Sequence, residues 1–266
     1  MTADGQLRYD GSLAQVLWLG GFRPKAIITS HETNPEALKH LGPVLGHDWS
    51  PESDELTFHF KIKAKLFNKR SKEILITLDN VKDLLLNRRC CLGILSQFYD
   101  PIGLCSPVVI PYRLAMKSII VQKLDWDQEL PDDQKKVWTG MITDMLKCPS
   151  VSFPRKAVGD EVDNPWIELI GYWDGSLSAF CAAIYVRWLE DPQSEKWSVR
   201  LLTSKSRVTP CSGLTTPRSE LCGLLMLCRL MNTAVESMSK PVTAVATKIR
   251  PYIYRVNNLK NIHLKK

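Results

Sequence analysis

The amino-acid sequence predicts an α+β chain with three regions. Short strand-like runs occur before residue 80, helical periodicity dominates 81–150, and three long strand-like runs precede an apolar helix after residue 151. The chain has 266 residues, of which 44% are hydrophobic and 24% charged, enough for one large or two modest domains. We therefore expect regions at 1–80, 81–150 and 151–266.

The first region is predicted to mix helix and strand. The expected elements are a helix over 13–19, a strand over 26–29, and a hairpin whose strands, 46–49 and 56–60, flank a turn at 50–54. His47 and His59 fall in this hairpin. Paired-strand histidines are usually partly exposed polar positions, so we assign them no ligand role.

The second region is predicted to contain three helices. Apolar residues from Val81 to Leu95 recur at helical spacing before the breaker at 99–103, and a second helix is expected over 107–124. A third begins near Pro131, with two acids in its first turn. Its expected core residues are Val137, Trp138, Met141 and Leu146. Basic residues in this region, including Arg113 and Lys117, are expected to form a solvated face.

The third region is predicted to open with a linker at 153–165 and to continue as an antiparallel meander. The expected strands are 167–173, 179–188 and 197–202, followed by a basic loop at 204–210. A helix capped by Thr216 and a strand at 241–247 complete the unit. The expected core stripe of this helix is Leu221, Leu224, Leu225, Cys228 and Met231.

Two carboxylates stand where this unit could hold a metal ion. Asp174 ends the first predicted strand, and Glu220 lies in the first turn of the helix. A two-ion site that cuts phosphodiesters needs enough acids to hold both ions, yet no aspartate follows Asp191. As a structural alternative, Asp174 caps a turn and Glu220 favours the positive end of the helix dipole.

Composition and cysteine spacing set further limits. The formal charge of +7 is compatible with a polyanionic partner but is also common among ordinary proteins. The eight cysteines form no C-x-x-C pair, so we expect buried free thiols in a reducing compartment, including Cys181, Cys222 and Cys228. Neither a signal peptide nor a long uncharged apolar run is evident, which predicts a soluble intracellular protein without a membrane.

Six short motifs occur in a set order along the chain. They are GGF at 20–22, LGHDW at 45–49, LSQFYDPIGL at 95–104, WD at 126–127, KSRV at 205–208 and TPRSEL at 216–221. Together these motifs resemble BEL/Pao-type LTR retrotransposon polyproteins, and the order of elements after residue 151 resembles the ribonuclease H fold. The resemblance implies the end of a reverse-transcriptase palm, a helical thumb or connection region, and an incomplete RNase H-like domain, truncated at both ends.

The resemblance also implies roles for individual residues. Asp174 and Glu220 match the family's first two metal-binding acids, which would hold Mg²⁺ or Mn²⁺ and act on an RNA:DNA hybrid. The family's third acid falls in the stretch VATK at 245–248, where Lys248 replaces it. A cation there repels a divalent ion. The chain also lacks the Tyr-x-Asp-Asp sequence that polymerisation requires.

The sequence therefore predicts a retrotransposon polyprotein fragment that is not an enzyme and carries a vestigial metal site. An active nuclease is the first alternative. An aspartic peptidase is the second, because the family region also carries a peptidase name, although Asp174-Gly175-Ser176 inverts the Asp-Ser-Gly turn. A nucleic-acid-binding module is the third, with phosphate contacts from Lys205, Arg207 and Arg218.

Overall fold

The structure, a computed structural model, describes residues 15–22, 43, 47–65, 72–158, 167–191, 193, 196–239 and 249–255. Among these, the residues before Phe60 and those of Ser150–Arg155 form one compact unit, and the others form a second. Helices and strands are both abundant, which is consistent with the predicted α+β class.

The first unit contains a short helix, α1, at 15–19 and a three-stranded antiparallel sheet. Its strands, in spatial order, are β1 (Asp48–Ser50), β2 (Glu55–Phe58) and β5 (Val151–Pro154). The predicted hairpin is confirmed, whereas the predicted linker is wrong at its start because Phe153 pairs with Leu56. The strand predicted at 26–29 lies outside the described residues.

The two histidines of the hairpin differ in environment. His47 is buried, which corrects the expected partial exposure, because the rings of Phe58 and Phe153 lie 5.3 and 5.7 Å from its own. Rings at this separation in tilted or edge-on contact add to hydrophobic burial. His59 is half-buried, and its Nε2 lies 2.8 Å from Asp48 Oδ2.

The second unit begins with a hairpin and three helices. Its elements are β3 (Lys63–Lys65), β4 (Glu73–Leu75), a 3-10 turn (Val81–Asp83), α2 (Arg88–Ser96), α3 (Ser106–Val121) and α4 (Asp132–Leu146). The helix predicted from Val81 starts only at Arg88, because the Asn87 side chain accepts the Cys90 amide at 2.8 Å and caps α2. Tyr112 and Trp138 meet in the core, whereas Val137 is exposed, contrary to prediction.

A four-stranded sheet with one long helix completes the second unit. In spatial order its strands are β8 (Lys196–Val208), β7 (Ala179–Asp191), β6 (Ile167–Gly175) and β9 (Ile249–Arg255), and α5 is Thr216–Ser239. Strands β6 to β8 are antiparallel and β9 is parallel to β6. The predicted order of three strands and a helix is therefore observed, and a strand, β9, follows the helix.

Two boundaries in this sheet differ from the sequence prediction. Strand β8 runs to Val208, so most of the predicted basic loop is strand, because Lys205 to Val208 continue the antiparallel pairing with β7. The strand predicted at 241–247 lies outside the described residues. The strand that pairs with β6 is Ile249–Arg255.

Helix α5 covers one face of this sheet. Its core residues are Met226, Leu227, Met231 and Ala234, packed on alternate residues of β6 and β7. Leu221 and Leu225 are 64% and 51% exposed, so the predicted stripe is offset. The reason is that the small residues Ser219 and Gly223, rather than the leucines, allow close approach of the helix to the strands.

The length and composition of α5 also satisfy the criteria for a membrane span. Within the part of the chain that the structure describes, one such segment is found, Thr216–Met238, with a mean hydropathy of 1.2. Its inner face forms the core of the sheet domain. A helix at the core of a globular domain passes the same test of length and composition.

The cysteines are all free thiols, but they are not uniformly buried. Cys91 and Cys105 are buried, Cys222 and Cys228 are half-buried, and Cys181 is exposed. The predicted burial of Cys181 is therefore wrong, because its side chain lies on the sheet face opposite α5. Burial raises the pKa of the Cys105 thiol to about 12.

The DPIG motif docks α3 onto the edge of this sheet. The Asp100 carboxylate accepts the amides of Leu104 and Cys105 at 2.9 and 2.7 Å, which positions the start of α3. Gly103 has a φ of +80°, and the carbonyls of Ile102 and Gly103 accept the Ser204 amide and hydroxyl, both at 2.6 Å. The motif thereby satisfies one backbone amide and one hydroxyl on the outer edge of β8.

Gly103→Ala is expected to lower the free energy of unfolding by about 2 to 4 kcal/mol, from left-handed backbone strain plus overpacking. The added methyl carbon would lie 2.0 Å from the Ser204 carbonyl oxygen. Urea denaturation measures the effect. Gly213→Ala is the matched control, because Gly213 also has a φ of +80° but has no atom within 4 Å of an added carbon. Equal losses for the two variants would contradict the docking role of Gly103.

Candidate metal and nucleic-acid site

The first turn of α5 sits directly on the end of β6. A methyl carbon added at Gly175 would lie 2.5 Å from the Glu220 amide nitrogen, and one added at Gly223 would lie 2.8 Å from the Asp174 carbonyl oxygen. Contacts this short are tolerated only where no side chain intervenes. The structure thus brings together the backbones that carry Asp174 and Glu220.

The two carboxylates are held differently. Successive residues of a strand point to opposite faces, and Trp173 packs towards α5, so Asp174 points to the other face. There Asp174 is exposed, and its Oδ1 accepts the Gly175 amide at 2.8 Å. Glu220 is half-buried in the first turn of α5. The two acids therefore flank one strand end.

Asp174 opens into a cavity of about 580 Å³ beneath the sheet. The cavity floor is formed by Cys181, Ala183 and Tyr185 of β7, and its other wall is the start of α3, from Gly103 to Ile110. Sequence analysis did not anticipate this cavity, because it depends on which sheet face α3 covers.

The register of β9 places its residues relative to Asp174. Ile249 pairs with Ile167, seven residues before Asp174 and so about 23 Å along the strand, and Arg255 pairs with Trp173. Lys248, where the resemblance puts the third acid, lies outside the described residues. Residues 237–266 contain neither aspartate nor glutamate, so no register of this strand supplies a carboxylate.

The donors present do not fit a two-ion centre. Mg²⁺ and Mn²⁺ favour carboxylate oxygens, and two ions about 4 Å apart need acids on several sides. Within the described residues, no group of three His, Cys, Asp or Glu side chains could hold a metal ion. Among the described residues, Asp174 and Glu220 therefore do not make up a complete ligand set for two ions.

The three predicted phosphate-binding residues lie near this strand end. All are exposed, and Arg218 is two residues before Glu220 on α5. Lys205 and Arg207 belong to β8, where they pair with Ala182 and Phe180 of β7. Gly175 pairs with the same Phe180, so the Arg207 Cα lies two strands, or about 10 Å, from that of Gly175.

Sequence analysis did not assign the basic residues that α3 adds to this edge. Arg113 donates to the Ser206 carbonyl at 2.8 Å, and Lys117 donates to Thr209 Oγ1 at 3.0 Å. Their spacing of four residues places them on one helix face. The sequence shows the helical spacing of these two residues, but it does not show which strand this helix face covers.

The reactivity of the Cys181 thiol depends on the charge of Asp174, its cross-strand neighbour. Partial desolvation raises the pKa of the Cys181 thiol although the residue as a whole is exposed, and the negative charge of Asp174 raises it further. The Asp174→Asn substitution removes that charge and so lowers the pKa of the thiol. At a pH below this pKa, a larger fraction of Cys181 is then the reactive thiolate. We expect severalfold faster alkylation of Cys181 by iodoacetamide at pH 8, measured by mass spectrometry. Exposed Cys211 is the internal control, and an unchanged ratio of the two rates would refute the contact.

Comparison with known proteins identifies the family of this chain. A family model described as the Pao retrotransposon-like RNaseH-like domain matches residues 87–248, more than half of the chain. The match covers the helices α2 to α4, the meander and α5. No curated protein matches the sequence. The chain belongs to the Pao retrotransposon-like RNaseH-like domain family.

Proposed function

We propose that the chain is a fragment of a Pao-type retrotransposon pol polyprotein whose RNase H-like domain no longer cuts nucleic acid. The observation that carries this proposal is the acid-free segment 237–266, which begins in the last turn of α5 and includes β9. A complete site would use Mg²⁺ or Mn²⁺ to activate water and to stabilise the leaving oxygen. Asp174 and Glu220 remain as a vestige of that site.

The same proposal assigns the rest of the chain. Residues 1–80 are reverse-transcriptase palm sequence, 81–150 a thumb or connection region, and 151–266 the RNase H-like domain. The motifs GGF and LGHDW support the palm assignment, and docking of DPIG on β8 supports a connection region fixed to its sheet. Polymerisation is not expected, because no Tyr-x-Asp-Asp sequence is present.

The two enzymatic alternatives require different sets of catalytic acids. An active nuclease must work with Asp174 and Glu220 alone or take a ligand from elsewhere. An aspartic peptidase needs two aspartates sharing one proton, and the only acid in the turn sequence Asp174-Gly175-Ser176 is Asp174. Neither demand has a supporting contact among the described residues.

Nucleic-acid binding without cleavage is the second candidate function. Lys205, Arg207 and Arg218 favour it, because they are exposed and make no ion pair with another described residue. Phosphate binding requires positive charge but no catalytic acids. An RNA:DNA hybrid is the partner that the family's fold implies.

The purified protein is expected to cleave a labelled RNA:DNA hybrid with Mg²⁺ or Mn²⁺ no faster than its Asp174→Asn and Glu220→Gln variants. The reason is the incomplete ligand set. Gel separation of the products measures this, with circular dichroism confirming that each protein is folded. Cleavage that both substitutions abolish would overturn the proposal.

Adding a carboxylate at either of two positions is expected to show which one held the missing metal ligand. Lys248→Asp adds a carboxylate where the family resemblance puts it, and Arg255→Asp adds one beside Trp173 in the register of β9. If incomplete ligation is the defect, we expect one of these variants to gain metal-dependent cleavage, and Lys136→Asp, on α4, to gain none. Equal inactivity of all three would show that a further ligand is missing.

A further inference from the structure

A groove lined by three cations runs along the line where α3 meets the edge of the sheet. Its volume is about 380 Å³. The charged residues are Arg113 and Lys117 from α3 and Arg207 from β8, and no acid lines it. We refer to these three residues and the space between them as the basic groove.

The groove owes its shape to the way α3 lies along β8. Ser106 Oγ lies 3.2 Å from Ser204 Oγ, and further along the same direction Arg113 reaches Ser206 and Lys117 reaches Thr209. The contacts recur at one face of α3, since residues 106, 113 and 117 follow helical spacing. Gly103 holds the start of this line against Ser204. The cations are therefore presented by a fixed framework.

The positive charge in the groove is not neutralised. Arg113 and Lys117 donate to a backbone carbonyl and a hydroxyl, both uncharged acceptors, and no carboxylate pairs with either or with Arg207 among the described residues. Arg113 and Arg207 are exposed and Lys117 is half-buried. Unpaired cations with free donor capacity favour an anionic ligand.

The arrangement suits a chain of phosphates better than a single one. Arg113 and Lys117 are four residues apart, so their Cα atoms are about 6 Å apart along the helix, a separation on the scale of successive phosphates in one strand. Lys205, two residues before Arg207 on β8, adds a further exposed cation, and Arg218 is exposed in the first turn of α5. A line of cations on rigid elements is the pattern that contacts a nucleic-acid backbone without reading its bases.

We propose that the basic groove binds the phosphodiester backbone of a nucleic-acid duplex, so that helix α3 and strand β8 form one binding surface. This extends binding beyond the strand end that carries the vestigial acids and gives the α2–α4 region a direct role. The inference rests on the retroelement origin proposed above for the identity of the ligand. It does not depend on the loss of cleavage.

The test is fluorescence anisotropy of a labelled RNA:DNA hybrid and of a labelled DNA duplex, in EDTA and over a series of salt concentrations. Each phosphate contact contributes about 0.9 to the slope of log affinity against log salt, which is about eightfold in affinity at 0.1 M salt. Arg207→Gln is expected to lower the slope by about 1. Arg113→Gln with Lys117→Gln is expected to lower it by about 2.

The matched control is Lys82→Gln with Lys136→Gln, which removes two exposed cations from the 3-10 turn and from α4. We expect this control to bind as the unaltered protein does. If the α3 double variant fails to fold, Arg207→Gln decides alone, because Arg207 makes no hydrogen bond or ion pair with another described side chain. Equal weakening by groove and control variants would overturn the proposal.

Two further results would distinguish duplex binding in the groove from a single-anion site and from the proposed loss of cleavage. Full competition by millimolar inorganic phosphate, with affinity independent of duplex length, would show a single-anion site and overturn it. Cleavage by the unaltered protein in Mg²⁺ with weakened binding by groove variants in EDTA would refute the loss of activity and leave the groove standing.

Discussion

The contact on which the RNase H-like unit depends is between two backbones, at the point where α5 rests on the end of β6. Gly175 and Gly223 lie face to face with the partner element's main chain, and a methyl group at either position would overlap it. This contact sets the height of the helix over the sheet, and so the residues that enter the core. It also brings the backbones of Asp174 and Glu220 together, so one packing constraint organises both the core and the position of the two candidate acids.

A second constraint joins the helical region to the sheet. The edge strand β8 has backbone groups that β7 does not satisfy, and the loop before α3 supplies partners for them at Ser204, while Arg113 supplies one at Ser206. An exposed edge of this length would otherwise promote aggregation. Covering it with α3 makes the helices part of the same unit as the sheet, as the family match across both also indicates.

Catalysis and binding place different demands on such a framework. Cutting a phosphodiester requires a complete set of acids within a few ångströms of two ions, so the loss of one ligand is enough to abolish it. Backbone binding adds up over many separate cation–phosphate contacts, each modest and tolerant of position. A domain can therefore lose catalysis and keep nucleic-acid binding, which is the division that we propose for this chain.

The sequence by itself determined the order of elements, the family and the identity of the candidate residues, because motifs and periodicity are local properties of the chain. It placed Asp174 at a strand end and Glu220 in a first helical turn, and both positions hold in the structure. It misjudged the buried face of α5, because leucines at helical spacing look like a core stripe when the close approach at Gly223 is unknown. It also placed His47 and Cys181 in the wrong environments, since burial depends on neighbours distant in sequence. Only the tertiary structure decided that α3 covers β8, because that contact depends on which sheet edge remains unpaired and on a glycine that admits the approach.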